Sequence, residues 1–252
     1  LSVYPFGWPR VHFDTVSSTM PMLADLAAHG ARHGTVVTAG FQSAGSGRGG
    51  RVWQAAADSS LLLSVLIDTG RPLREIPVLS LVTALAVRET VQSFGATGVC
   101  IKWPNDVLVN DRKISGILLR SRAIGPDRTH VVTGIGLNLL PGAVDDLPGA
   151  TCLSREAGET FSRTSVMDRL LDILGNMVQR FETGDAGELL DAAAGCLAWR
   201  GEVVELDHGA ERVTGRIAGL RADGALELEL DSGDVIAVMT GELQRGPRRA
   251  DS

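Results

Sequence analysis

No apolar run in this 252-residue chain approaches the ~18 residues needed to cross a bilayer. The run at 60–67 is short, and 76–94 is interrupted by charge. The N-terminus lacks a basic region followed by an apolar core, so no secretory signal is visible. Cysteine is scarce: Cys100, Cys152 and Cys196 are far apart and odd in number, which fits a reducing compartment rather than a disulfide framework. The resulting expectation is a cytoplasmic protein with no membrane partner. Positive charge is also in deficit, with 24 Lys and Arg against 30 Asp and Glu, which speaks against a generic nucleic-acid binder.

Two kinds of chemistry lack their residues. His29 and His33 are separated by Gly30 at an expected helix end, His12, His130 and His208 have no companion ligands, and the cysteine spacing is wrong for zinc. No G-x-S-x-G elbow offers a nucleophile. Internal repeats and low-complexity segments are absent too.

What remains is long enough for one large domain, or one domain with a small appendage, and to bury roughly three quarters of its unfolded surface. Residues 10–16 read as a strand, and Ser18-Thr19 as the cap of a helix with Pro21 in its first turn and Gly30 at its stop. The β-branched run 35–39 and the apolar run 61–67 predict strands, the latter buried on both faces. A helix is expected over 76–94, closed by Gly95, followed by strands at 99–103, 107–109, 114–120 and 130–139, the second and third joined by Asn110-Asp111. A helix over 165–181 carries Met167, Leu170, Leu171, Leu174, Val178 and Phe181 on one stripe, with Ser165 and Asp168 read as its capping box, and a shorter one covers 187–197. After Trp199 come four short strands (202–205, 212–220, 225–230, 235–239) separated by Gly-containing turns, which suggests a small barrel. From Gly246 onward, past the arginines at 245, 248 and 249, the chain reads as a frayed tail.

Three motifs carry chemistry. Ile101-Lys102-Trp103-Pro104-Asn105-Asp106, then Arg112-Lys113-Ile114-Ser115-Gly116, packs cations, an amide and a carboxylate around a stiff Trp-Pro step. That density of polar groups on a hairpin is costly to bury without a ligand. Upstream, Gln42 leads into Gly45-Ser46-Gly47-Arg48-Gly49-Gly50-Arg51 and Trp53. Gly45, Gly47 and Gly50 match G-x-G-x-x-G, but a strand-like run follows within ten residues and leaves no room for the helix of a dinucleotide fold. Gly45 and Gly50 also have Walker spacing, yet Arg51-Val52 stands where Lys-Ser/Thr is required. The glycines instead let backbone N–H groups approach an anion that Arg48 and Arg51 neutralise, so the loop is expected to order over a phosphate. Third, Gly134-Ile135-Gly136-Leu137-Asn138 places two glycines and an amide on one face of a strand, a floor that could sit beneath a ring or simply serve packing.

In order, spacing and identity these landmarks resemble the biotin–protein ligases: Ser18-Thr19, Gln42 through Arg51 with Trp53, Lys102 to Asp106, Arg112 to Gly116, and Gly134 to Asn138, over about residues 10–245. The resemblance implies an α+β fold, a mixed β-sheet flanked by helices of the class II synthetase-like, biotin–lipoate ligase type, with a small C-terminal SH3-like β-barrel. It divides the chain into a catalytic unit at 1–197, the barrel at 198–247 and a tail at 248–252. The implied reaction joins biotin and ATP into biotinyl-5′-AMP and passes biotin to a lysine of a biotin carboxyl carrier protein domain, with Mg²⁺ as cofactor.

By position, the resemblance implies that Arg48 and Lys113 are catalytic. Ser18, Thr19, Met20, Gln42, Gly45, Ser46, Gly47 and Gly116 would join them around biotin. Arg51, Trp53, Asn105, Asp106 and Asn138 would face the nucleotide, with Asp106 also placed for Mg²⁺. Met20 departs from the Asn of many members, and Ser46 and Gly49 make the loop less cationic than usual. Many bacterial members begin with a DNA-binding winged helix, whereas residue 1 here lies just before the first landmark, so neither DNA nor a repressor role is expected. A homodimer stays open. The rival readings are a lipoate or octanoate ligase of the same fold and a non-catalytic biotin sensor.

Overall fold

The computed structural model describes residues 5–209 and 211–246. The tail expected at 248–252, the end of the 198–247 segment, and Arg248 and Arg249 lie outside the described residues. A seven-stranded sheet is built from β1 (Arg10–Val16), β2 (Val36–Gln42), β3 (Ser60–Thr69), β4 (Val99–Lys102), β5 (Asp106–Val109), β6 (Arg112–Gly125) and β7 (Arg128–Asn138). Its spatial order is β1-β2-β3-β7-β6-β5-β4. β1 and β2 run parallel and every other neighbouring pair is antiparallel, so the sheet is mixed. β3, a continuous apolar run between β2 and β7, is buried on both faces.

Helix α1 (Thr19–Ala28) covers one face, where Met20, Leu23 and Ala27 meet Val37, Leu66 and Val132. Helices α2 (Val78–Ser93), α4 (Arg163–Thr183) and α5 (Ala186–Gly195) cover the other and close the main core; a short α3 (Leu153–Ala157) lies between α2 and α4 in the chain. Nearly all of α2 is buried, because the sheet lies on one side of it and α4 and α5 on the other. The cap of α4 is Ser162, whose side chain accepts from the Ser165 backbone N–H, rather than the expected Ser165–Asp168 box. Asp168 is drawn away to Arg10 at 2.6 Å. Phe181 closes the buried stripe of α4 with no exposure. Phe181→Ala is therefore expected to lower unfolding stability by ~3–5 kcal/mol, read as a shifted urea midpoint at unchanged slope.

The β6–β7 hairpin runs longer than its apolar alternation suggests. Arg120 to Gly125 are solvent-exposed and polar on average, yet their backbones stay paired with β7. Between β5 and β6, Asn110 and Asp111 both take positive φ, the conformation a two-residue hairpin turn requires.

A second sheet follows from β8 (Val203–His208), β9 (Glu211–Leu220), β10 (Leu226–Glu229), β11 (Val235–Val238) and β12 (Glu242–Arg245), in the order β11-β10-β9-β8-β12. It is antiparallel and open: among the described residues its edge strands β11 and β12 are not bonded to each other. The fifth strand, β12, gives little sequence signal because only Leu243 of its four residues is buried. The two sheets are tied by the indole N–H of Trp103 donating to Gly224 O at 3.1 Å and by Arg245 on Asp111 at 2.8 Å. No helix among the described residues is long and apolar enough to cross a membrane.

Candidate active site

The site begins where α1 meets β2. Ser18 and Thr19 are buried at the helix start. The Thr19 backbone N–H and hydroxyl both donate to Gln42 Oε1, at 2.7 and 3.1 Å, and the same hydroxyl lies 2.8 Å from Ser64 Oγ on β3. This closed network fixes a polar wall beside the apolar Met20. Ser64 carries no motif signal; only the β2–β3 register brings it under Thr19.

The Gly/Arg loop folds back on itself. Gly47 N–H donates to Arg51 O at 2.7 Å and Trp53 N–H to Gly45 O at 2.9 Å, with Ser46 and Val52 bridged between them. Gly45 thus sits in the neck of the loop rather than in the cavity wall; a Cβ there would come 2.8 Å from Trp53 O. At the tip, Arg48 points inward. It donates to Asn105 Oδ1 at 3.1 Å and to Thr240 Oγ1 at 3.0 Å, and reaches Gly241 O at 3.4 Å. Burial lowers its pKa from the usual guanidinium range, opposed by the nearby Glu242 and Asp106 carboxylates.

The β4–β5–β6 hairpin supplies the opposite wall. Lys113 Nζ stands 2.7 Å from Asp106 Oδ1, an ion pair whose angles fall short of a hydrogen bond, and 5.7 Å from the centre of the Trp53 ring. Asn105 is braced by donating to Ile117 O at 2.9 Å. Trp53 itself lies on the glycine floor: a Cβ at Gly116 would come 2.9 Å from its ring, and one at Gly136 closer still. The ring that the sequence places over Gly134-Ile135-Gly136 is therefore supplied by the chain. Its indole N–H is buried without a partner.

These walls enclose a cavity of roughly 140 Å³ that brings together Ser18, Thr19, Met20, Gln42, Ser46, Gly47, Arg48, Arg51, Trp53, Asn105, Asp106, Lys113 and Gly116. Asn138 does not line it. With Trp53 and Lys113 it borders a neighbouring void of about 150 Å³, and its amide donates to Thr151 O at 3.1 Å. Arg48 and Lys113, far apart in sequence, face one space.

Glu242, on β12, escapes sequence reasoning because nothing local marks it. Its carboxylate meets Arg51 Nη2 at 2.6 Å and Lys102 Nζ at 3.4 Å. Burial pushes its pKa up, but the hydrogen bond from Arg51 and the charge of Lys102 outweigh this and leave it below the ordinary carboxylate value. The second sheet thus contributes Thr240, Gly241 and Glu242 to holding both loop arginines.

Comparison with known proteins accords with this geometry. Residues 12–138 match the model of the biotin/lipoate A/B protein ligase family. The bifunctional ligase/repressor BirA of Bacillus subtilis is 35% identical over 66% of this chain and 52% of its own length, so the chain spans about half of that relative. The biotin–[acetyl-CoA-carboxylase] ligase of Mycobacterium tuberculosis is 32% identical, over 94% of this chain and 89% of its own. That of Paracoccus denitrificans is 34% identical over 78% and 85%. Among solved structures, the biotin protein ligase from Aquifex aeolicus in complex with biotin and ATP superposes with a TM-score of 0.81 at 25% identity, covering 95% of this chain and all of that one. By matched sequence, shared fold and the cavity that both cations face, this chain belongs to the biotin/lipoate A/B protein ligase family.

Proposed function

We propose that this protein is an ATP-dependent biotin–protein ligase. It forms biotinyl-5′-AMP from biotin and ATP, then transfers biotin to a lysine of a biotin carboxyl carrier domain. The observation that carries the proposal is the convergence of Arg48 and Lys113 on one cavity, beside the Thr19–Gln42–Ser64 network. The Aquifex neighbour that holds biotin and ATP supports the same reading.

In the first step a biotin carboxylate oxygen must attack the α-phosphorus and displace pyrophosphate, which takes the electrons of the broken α–β bond, and two anions repel on approach. The Arg48 guanidinium and Lys113 ammonium, fixed in advance by Asn105, Thr240 and Asp106, offset that repulsion as charge grows on phosphate. The polar wall at Thr19 and Gln42 would hold the ureido ring, with Met20, Ser46, Gly47 and Gly116 around the bicycle. Arg51, Trp53, Asn105 and Asn138 would meet the nucleotide. The loop and the Trp53 ring cover the anhydride and exclude water. In the second step the carrier amine attacks the carbonyl carbon and AMP departs, so no protein nucleophile is needed.

Mg²⁺ fits this site as a companion of the triphosphate. Among the described residues no three His, Cys, Asp or Glu side chains gather to hold a metal, and Asp106 is the single carboxylate in the cavity wall. One carboxylate plus phosphates is an ordinary Mg²⁺ environment, and the ion would neutralise phosphate charge there.

The division into a catalytic unit at 1–197 and an SH3-like unit at 198–247 is part of the same proposal. Glu242 gives the second unit a task, as a counter-charge that aligns Arg51 and Lys102. Glu242→Gln is expected to raise the KM for ATP by up to about fivefold and leave that for biotin unchanged, because ion pairs that stay in reach of solvent contribute only ~0.2–1 kcal/mol each and the Glu242 side chain is 35% exposed. Steady-state pyrophosphate-exchange kinetics check it. The proposal as a whole is tested by incubating the protein with biotin, MgATP and a biotin carrier domain and probing with avidin. A labelled carrier supports it; a blank carrier in the presence of a labelled positive control overturns it.

A further inference from the structure

Lys102 and Lys113 are the only lysines in the sequence; the other 22 of the 24 basic residues are arginines. Resting on the ligase reading, we propose that these 252 residues exclude themselves from the substrates of their own reaction: apart from two ion-paired lysines, their side chains offer no amine that the acyl-adenylate can modify.

The transfer chemistry states what an acceptor needs. A nitrogen lone pair attacks the carbonyl carbon of the mixed anhydride, the bond from that carbon to the phosphate oxygen breaks, AMP leaves with the bonding electrons, and the nitrogen releases a proton as the amide forms. A lysine supplies that lone pair once deprotonated. A guanidinium stays protonated and delocalised at any physiological pH and does not.

Arginine has taken over the tasks that lysine usually shares on a protein surface. The exposed ion pairs of Arg155 with Asp145, Arg180 with Glu188 and Arg212 with Asp207, and the half-buried one of Arg112 with Glu156, all use guanidinium. The two lysines that remain each face a carboxylate. Lys113, beside the cavity, is 2.7 Å from Asp106. Lys102 has a side chain 18% exposed, shares the Glu242 carboxylate at 3.4 Å and lies 5.6 Å from the centre of the Trp199 ring. Each would have to give up an ion pair before it could attack. The thiols are muted as well. Cys152 is fully buried, and burial raises both others, Cys100 to about 11.

Acyl-adenylate that escapes the loop would therefore find no unpaired lysine along this sequence, and would leave for a foreign amine or be hydrolysed. Selectivity for the carrier is strengthened by subtraction, since the lysines near the cavity, Lys102 and Lys113, are both engaged by carboxylates.

The test places an amine where the structure has none. Met239 and Leu73 are exposed, at 47% and 54%, on the rim of a cleft that Arg48 also lines. Wild type, Met239→Lys and Leu73→Lys are incubated with biotin and MgATP, without carrier but with serum albumin, and every biotinylated lysine is located by peptide mass spectrometry. The expected result, over hours in which adenylate slowly slips past the intact loop, is label on albumin and on the introduced lysines, and none on Lys102 or Lys113. Label on Lys102 or Lys113 in the wild type at the level of an introduced lysine overturns the proposal. So do blank introduced lysines beside labelled albumin, because the missing amines would then not be what protects the chain. Absence of biotin-dependent ATP–pyrophosphate exchange in the wild type would instead overturn the ligase reading.

Discussion

Lys113→Ala is expected to lower biotin-dependent ATP–pyrophosphate exchange by ~10²–10³, the usual cost of removing one preorganised charge-stabilising donor. The side chain sits on the hairpin between β5 and β6, fixed by Asp106 at 2.7 Å and by contact with the Trp53 face. Its removal has two consequences. The developing phosphate charge loses a cation that needs no reorganisation, and the Asp106 carboxylate is left uncompensated in the cavity wall, where it repels the incoming triphosphate. The loss should fall mainly on kcat for adenylate formation, and the fold should survive, since Lys113 is partly solvated. Near-normal exchange in a folded variant would remove Lys113 from the catalytic set.

Arg48→Gly is expected to shorten the lifetime of the bound intermediate rather than to abolish its formation. Arg48 ties the loop tip to Asn105 and to Thr240 and Gly241 of the second sheet. Hydrogen bonds to a charged group contribute ~1.5–3 kcal/mol each, so losing one such tether should speed release of the adenylate by about ten- to a hundredfold. Glycine at this position also restores conformational freedom to a tip already flanked by Gly47, Gly49 and Gly50. Released biotinyl-AMP would then label lysines of bystander proteins. Rapid filtration of radiolabelled adenylate together with an avidin blot of added albumin measures both effects. An unchanged lifetime with no stray labelling would show that Arg48 does not hold the loop over the intermediate.

The parts of this site that were legible from sequence are those built from contiguous residues. Lys102 to Asp106 and Arg112 to Gly116 form one local hairpin, so spacing along the chain is nearly spacing in space. The loop from Gln42 to Trp53 announces itself through glycine and arginine, because few other roles need both. Alternation, a β-branched run and an apolar run located β1 to β7, and the turn chemistry of Asn110-Asp111 marked the reversal between β5 and β6. What escaped depends on tertiary register. Ser64 is an unremarkable serine in an apolar strand until the β2–β3 pairing sets it beneath Thr19. Glu242 belongs to a mostly polar four-residue strand and matters only because the second sheet folds back onto the loop. Ser165 and Asp168 match a capping box in sequence, yet the cap of α4 is Ser162, which nothing but the backbone geometry marks. The segment after Trp199, read as a small barrel, forms a five-stranded sheet whose edge strands are not bonded to each other among the described residues, since strand spacing fixes the strands but not whether the edges meet. Asn138 shares the alternation of Gly134 and Gly136, yet its amide is spent on Thr151, and Trp53 stands between it and the main cavity.

The acid test is a single turnover without an acceptor. The protein is mixed with biotin and MgATP, separated from free nucleotide, and its bound adenylate is quantified before and after a biotin carrier domain is added, with lipoate in place of biotin as the parallel arm. Near-equimolar biotinyl-AMP that disappears as the carrier becomes labelled, and no adenylate with lipoate, is the result expected of Arg48 and Lys113 closing around a biotin anhydride. Adenylate formed from lipoate and not from biotin, or from neither, would contradict it.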